Sequence, residues 1–527
     1  MKTIRTDVLI IRSGFGAAAP ALRLAAAGAE VVVLEKGPPV GTADFRQTSD
    51  PNYILKYIKG TAGDHLSLTY AEALGGGSGF YEMVSLRAPS PVFDQVDESG
   101  RRLWPESLDR RALDPYYDRA EAMLHVSQIA LEEVPKTGLV FAQLMKNLGY
   151  SVDRCRYAVR GCQGSSFCVT GCVYGAKQSL FLNYLPQAVA AGATIETEIE
   201  AIALHPLPAV RQPAPARLRD VPYRYEIIAR RRTGTRETIR YVARLVILGG
   251  GTVGTADLLL RSRPNLPFLS EHVGRNIAYN GSVKVAAVLP DGFPDGDMFT
   301  GRTHPGMISY QFFASHGITV HAVKALPLML VSTAHLRPEA RSRTSGWWGP
   351  PHQDLMRQLR HRVIVLDAFG LTPPAATLAI GERGARTLSL PVDAELERYH
   401  SRVKDVLEAI LVQNGCRLVQ TDFLDKNLQP QQGIHFSTAH QVGSCRMADS
   451  KAAGVVDAAG EVFDYPGLYV SDGAAIPSSL AVNTSLTILA NAERIADGVA
   501  ARYGLTASRP GLRPPAPGRS GDPGSRS

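Results

Sequence analysis

Apolar residues run without a break from Val8 to Ile11 and again from Val31 to Leu34. Such runs predict strands buried on both faces. Between them the period changes. Ala18, Leu22, Ala25 and Ala26 share one face of a helix over residues 14–28, and Gly28 closes it. Strand, tight turn, helix and a second strand ending in the acid Glu35 is the order of a dinucleotide-binding unit. Helical spacing returns over 111–126, 135–149 and 184–191, whereas 193–204, 224–231 and 238–250 read as strands. From about 280 to 390 come the β-rich runs SVKVAAVLP, MISYQFFAS, RVIVLDAF and ATLAIG. They predict an antiparallel sheet distinct from the first domain. An amphipathic helix capped by Asp393 and closed by Gly415 comes next, then a strand in GLYVSD and a helix from about 484. The proline-rich stretch 204–222 reads as a surface excursion.

The chain has 527 residues, enough for two or more domains, and 45% of them are hydrophobic. A formal charge of +8 is concentrated in the tail and around ARRRTGTRETIRYVAR, both read as solvated surface. No basic face with interleaved aromatics points to nucleic acid. No run of about 18 apolar residues predicts a membrane span, and MKTIRTDVLII is not a signal peptide. Six cysteines in so long a chain are no disulfide framework. The expected compartment is the cytoplasm.

The fingerprint G-x-G-x-x-G is damaged. Its glycine positions hold Arg12, Gly14 and Ala17. Gly14 keeps the close approach of backbone to pyrophosphate, Gly16 adds freedom, and Ala is an accepted third residue. Arg12 must find room at the phosphate mouth, in a turn that favours glycine, although a guanidinium attracts a pyrophosphate. Pro20 falls close to the first helical turn, where its missing N–H costs little. Glu35 stands where an acid accepts hydrogen bonds from an adenosine ribose.

The block HQVGSCRMADSKAAGVVDAAGEVFDYPGLYVSDGAAIPSSLAVNTSLTILANAERIA, from His440 onward, resembles the C-terminal signature of the glucose–methanol–choline (GMC) family of flavin oxidoreductases. YAEALGGGSGFYEMVSLRAP is similar to that family's flavin-contacting glycine loop, and RLVILGGGTVGTADLLLRS to its second signature. GAKQSLFLNYLPQAVAAGATI resembles the cholesterol-oxidase-like and long-chain-alcohol-oxidase-like branches. The resemblance implies FAD as cofactor, held by Gly14, Gly16 and Glu35, by Gly76, Gly77 and Ser78, by the backbone of Ile199, and by Asp472 and Gly473. Tyr81 falls where related chains have asparagine. The resemblance also implies hydride removal from a small-molecule alcohol to flavin N5, with His440 as base and Asn483 orienting the substrate oxygen. The electron acceptor is oxygen or a redox protein. Outside such a block a lone histidine, such as His435, reads as structural.

Cys162, Cys168 and Cys172 give C-x5-C-x3-C with glycines between them. Thiolates so spaced can ligate iron, and the spacing resembles the 3Fe-4S cluster site of bacterial FAD-dependent sugar dehydrogenases in this family. Plain packing is the alternative, and it is the reading for Cys155, Cys416 and Cys445. Trp347 and Trp348 offer either a stacking surface or a surface loop.

The expected fold class is α/β (α+β overall). A Rossmann-type FAD-binding domain is assembled from discontinuous segments 1–90, 186–284 and 440–505. A substrate domain with an antiparallel sheet and helices takes 91–185 and 285–439, and 506–527 form a disordered tail. Two other functions stay open: a non-redox flavin-containing lyase of the same family, and a non-catalytic member whose fingerprint has decayed at Arg12.

Overall fold

The predicted first unit forms as β1 (Lys2–Ile11), α1 (Phe15–Ala26) and β2 (Val31–Leu34). The computed structural model describes residues 1–211, 215–324, 334–337, 350–423 and 433–506. The Trp347–Trp348 segment and the tail from 507 lie outside them. After a long excursion the chain returns to this sheet with β3 (Thr194–Glu196) and β4 (Ile199–Pro206). The run 193–204 is broken between them at Glu198, whose φ is +60°. Then come β5 (Tyr225–Arg231), β6 (Thr238–Leu248), α2 (Gly251–Ser262) and, far downstream, β7 (Leu468–Val470) and α3 (Ser485–Arg502).

The strand order is β3-β2-β1-β6-β5-β4, with β7 against the last residues of β6. The pairs β3·β2, β2·β1, β1·β6 and β6·β7 are parallel, whereas β5 is antiparallel to both β6 and β4. Register fixes where the parallel strands end. Ile11 lies opposite Leu34 and Leu248, and Leu248 opposite Val470. Four strands therefore end on one line, and the turns after them share one sheet edge. The carboxyl edge of parallel strands is where such sheets bind ligands.

The predicted antiparallel sheet is also present. Its strand order is Ala334–Arg337, Arg417–Phe423, Val283–Val288, Val363–Gly370, Ile318–Val323, Met307–Ser309 and Asp153–Arg154, every neighbouring pair antiparallel. The helix Ala394–Gln413 packs on it, its amide at Leu396 capped by the Asp393 carboxylate at 2.8 Å. Two expectations are corrected. Only the first three residues of MISYQFFAS are strand, and the rest turn into the short helix Phe313–His316. ATLAIG pairs instead with Arg386–Ser389 in a separate hairpin.

Pro20 is a third correction. It lies inside α1, so the Gly16 carbonyl loses its helical partner. Ser471, just beyond β7, donates its hydroxyl to that carbonyl at 2.6 Å. Ser471→Ala is expected to lose about 1–3 kcal/mol in urea denaturation, because a buried carbonyl is orphaned. The same substitution should cost less in a Pro20→Ala background, where residue 20 regains an N–H. Equal losses in both backgrounds would show that the two sites are not coupled.

Candidate active site

A cleft of about 440 Å³ opens at the shared strand edge. Its lining includes Gly14, Gly16, Glu35, Gly76, Gly77, Asp472, Gly473, His440 and Asn483, so the fold gathers these predicted residues into one site. Two glycine turns meet there. Gly76 has φ +55°, and a Cβ on it would come within 3.0 Å of the Gly14 Cα. On the other side of α1, a Cβ on Gly249 would meet the Ala17 Cβ at 2.7 Å. The small residues at 17 and 249 let helix and strand pack closely.

Arg12 adopts φ +83°, the left-handed conformation in which glycine is at no disadvantage. Its guanidinium lies 3.6 Å from the Glu35 carboxylate, which is 2% exposed. Glu35 also accepts hydrogen bonds from the Ser13 amide (3.0 Å), the Ser13 hydroxyl (2.7 Å) and the Gly37 amide (2.7 Å). The Ser13 hydroxyl in turn accepts from the Gly75 amide at 2.9 Å. Ser13 thus ties the glycine loop to the acid at the end of β2. Its position inside the fingerprint was the only signal in the sequence.

Asp472 is buried at the start of α2. Its carboxylate accepts from the Gly251 amide (2.7 Å), the Thr255 hydroxyl (2.6 Å) and the Ala474 amide (2.8 Å). Burial still pushes this carboxyl up to about 6, against the pull of those donors.

His440 Nε2 lies 3.1 Å from Asn483 Nδ2. With the amide donating, Nε2 offers its lone pair and the ring is neutral. Burial brings the imidazole down to about 4, with Asp367 opposing and Lys284 assisting. Phe369 packs edge-on against the ring at 4.7 Å. Behind Phe369, the Asp367 carboxylate accepts from the Ser282 hydroxyl and pairs with Lys284 at 3.2 Å. His304 and His321 stack at 5.0 Å, and burial lowers the pKa of both. His435 lies elsewhere, bonded to Ser67 and to the Asp64 carbonyl.

Residues 59–279 match the N-terminal family profile described as GMC oxidoreductase, and 398–492 match its C-terminal counterpart. The chain belongs to the GMC oxidoreductase family. A cholesterol oxidase of Mycobacterium tuberculosis is 28% identical over 93% of this chain and 90% of its own length. A paromamine 6'-oxidase of Streptomyces fradiae is 26% identical over 94% and 91%. A long-chain-alcohol oxidase of Arabidopsis thaliana is 25% identical over 93% of this chain and 66% of its own length. Formate oxidase from Aspergillus oryzae, a protein with FAD, shares the fold at a TM-score of 0.67 and 14% identity, covering 96% of this chain and 99% of its own. Pyridoxine 4-oxidase from Mesorbium loti does so at 0.62 and 15%, covering 94% and 99%.

Two of the residues assigned to the cofactor in this GMC oxidoreductase lie outside the cleft lining. Ser78 is buried behind the glycine loop, donating to the Gly75 carbonyl and accepting from the Leu180 amide. Ile199 gives its amide to the Glu35 carbonyl at 2.9 Å. Both hold the site's walls in place. The iron–sulfur expectation is also corrected. Among the described residues, no three or more His, Cys, Asp or Glu side chains converge to hold a metal. The Cys162 sulfur instead accepts from the Gly164 amide and faces Arg302, while the Cys168 thiol faces Thr303. Buried Lys177 pins the loop by donating to the Cys168 and Gly79 carbonyls. Cys155, Cys416 and Cys445 are buried and free. Tyr81, which the resemblance puts beside the flavin ring, lines the cleft, as do Glu82 and Gln441, which were not assigned to it from sequence. No helix among the described residues is long and apolar enough to cross a membrane.

The backbone at Arg12 can be tested apart from its charge. Arg12→Ala and Arg12→Gly both delete the contact with Glu35, but only glycine relieves the left-handed turn. Arg12→Gly is expected to be more stable than Arg12→Ala by about 1 kcal/mol in chemical denaturation. Equal stabilities would mean that the turn relaxes to negative φ.

Proposed function

We propose that this chain binds FAD in the cleft and oxidises a hydroxyl-bearing carbon of a small molecule. When bound, FAD supplies the acceptor for the hydride. The cleft's residues fit that cofactor. The glycine turns leave room for backbone to approach a pyrophosphate, and the N-terminal turns of α1 and α2 contribute Gly14, Gly16 and Gly251–Gly254 to the lining. Glu35 retains acceptor capacity for a ribose. Among the described residues, Tyr81 Oη and Gln441 Oε1 are buried in the cleft wall without hydrogen-bond partners, as expected where a polar ligand completes the site.

The observation that carries the reading is the His440–Asn483 pair, brought to 3.1 Å from positions 43 residues apart in the chain. A hydroxyl that takes the place of this direct bond can donate to Nε2 while accepting from Nδ2. The imidazole takes the hydroxyl proton as the hydride leaves carbon, and Asp367 favours the imidazolium formed. The low basicity of His440 keeps the ring neutral at physiological pH, ready to accept. Relatives named for cholesterol, paromamine and long-chain alcohols support a CH–OH donor.

The test is the absorption spectrum of the FAD-loaded protein, followed by anaerobic bleaching on addition of alcohols. Reoxidation by oxygen or by a redox carrier then identifies the acceptor. A flavin that no alcohol reduces would favour the lyase alternative. His440→Ala is expected to keep FAD while slowing flavin reduction by about 10²- to 10⁴-fold. In the unaltered protein, protonation of His440 should suppress the reaction only as pH falls toward about 4. An unchanged rate in His440→Ala would remove the histidine from the mechanism.

A further inference from the structure

Tyr81 and Glu82 come directly after the glycine turn Gly76–Gly79, and both line the cleft. The protein leaves their polar groups unused. Among the described residues, buried Tyr81 Oη has no hydrogen-bond partner. Glu82 makes no hydrogen bond or ion pair among the described residues. The charges around it are committed elsewhere. Lys177 Nζ is spent on the carbonyls of Gly79 and Cys168, and Lys284 Nζ on Ser282 and Asp367. Asp367 itself repels a second carboxylate. Lys177 also lies over the Tyr81 ring at 5.7 Å, so that ring is already engaged with a cation.

A half-buried carboxylate with no counter-ion is costly. Burial and Asp367 push Glu82 up to about 7, with Lys177 and Lys284 pulling the other way. Neutral donors also favour the charged form, but a cation does so most strongly, by charge and hydrogen bond together. FAD, with its phosphates, does not supply one; a substrate can. Glu82, His440 and Asn483 line the same cleft, so one small molecule can address all three.

We propose that Glu82 anchors a protonated amine on the substrate, so that the alcohol oxidised here is an amino alcohol. This rests on the oxidoreductase reading above. The carboxylate receives charge-assisted N–H hydrogen bonds while the hydroxyl lies against His440 and Asn483.

The FAD-loaded protein is titrated with two matched pairs, following flavin absorbance and then anaerobic reduction. The pairs are 6-amino-1-hexanol against 1-hexanol, and trans-4-aminocyclohexanol against cyclohexanol. In at least one pair the amine is expected to bind about tenfold or more tightly than its neutral partner. Glu82→Gln should abolish that preference. A second measurement needs no variant. Between about pH 7 and 5 the amines, with pKa values of about 10, stay charged. Over that window Lys177, brought down only to about 8, stays charged and His440, at about 4, stays neutral. Glu82 gains a proton over that window; Asp472, at about 6, does so too but bears on both members of a pair alike, so the preference for the amine should fade as pH falls.

No preference in either pair overturns the proposal. So does a preference that survives Glu82→Gln, or one that is flat across that pH window. Failure to take up FAD would overturn the oxidoreductase reading and this inference with it. FAD taken up and reduced equally by both members of each pair overturns this inference alone.

Discussion

The approach of Gly16 to Asp472 sets the geometry of everything around the cleft. A Cβ on Gly16 would stand 2.4 Å from the Asp472 Cα, so the first turn of α1 rests on the backbone just after β7. Ser471 bonds the Gly16 carbonyl at the same crossing, and the Asp472 carboxylate reaches across to the first turn of α2. Segments some 450 residues apart in the chain are joined at one point. Close packing on backbone cannot give way as a flexible side chain can. The turns that form the cleft floor are therefore held before any ligand arrives.

Carboxylates show how the protein separates support from chemistry. Glu493, fully buried in α3, is met by Arg23, Arg119 and the Tyr184 hydroxyl, and its role is to fasten helices together. Glu35 has Ser13, Gly37 and Arg12; Asp472 has Gly251, Thr255 and Ala474. Each is given donors by the fold. Glu82 is the contrast, left without a partner among the described residues in the cleft that holds the His440–Asn483 pair. Folding alone gives no reason to keep an acid there, whereas recognition of a ligand does.

Much of the site could be read from the chain because its residues sit at the ends of strongly patterned elements. The run Val31–Leu34 predicts a strand, and Glu35 comes next; Leu468–Val470 predicts another, with Asp472 just beyond it. What could not be read depended on neighbours remote in sequence. Pro20 reads as close to the first helical turn, but it lies inside α1, and only the fold brings Ser471 to the carbonyl it frees. Ser78 and Ile199 read as cofactor contacts, but their polar groups are consumed within the walls. Arg12 reads as damage, yet it keeps the left-handed turn of a glycine and turns its charge toward Glu35.

The sequence by itself determined the periods of the strands and helices and the α/β class, while its resemblance to a family implied the candidate base and its amide partner. Those are local properties: side-chain volume, spacing and the order of motifs along one chain. Tertiary structure alone decided that Ile11, Leu34, Leu248 and Val470 lie in register, and so that four turns share one edge. It also decided which polar groups are spent inside the protein and which are left open. Hydrogen bonds and charges saturate through contacts between distant segments, and no local pattern records which partner each group will find.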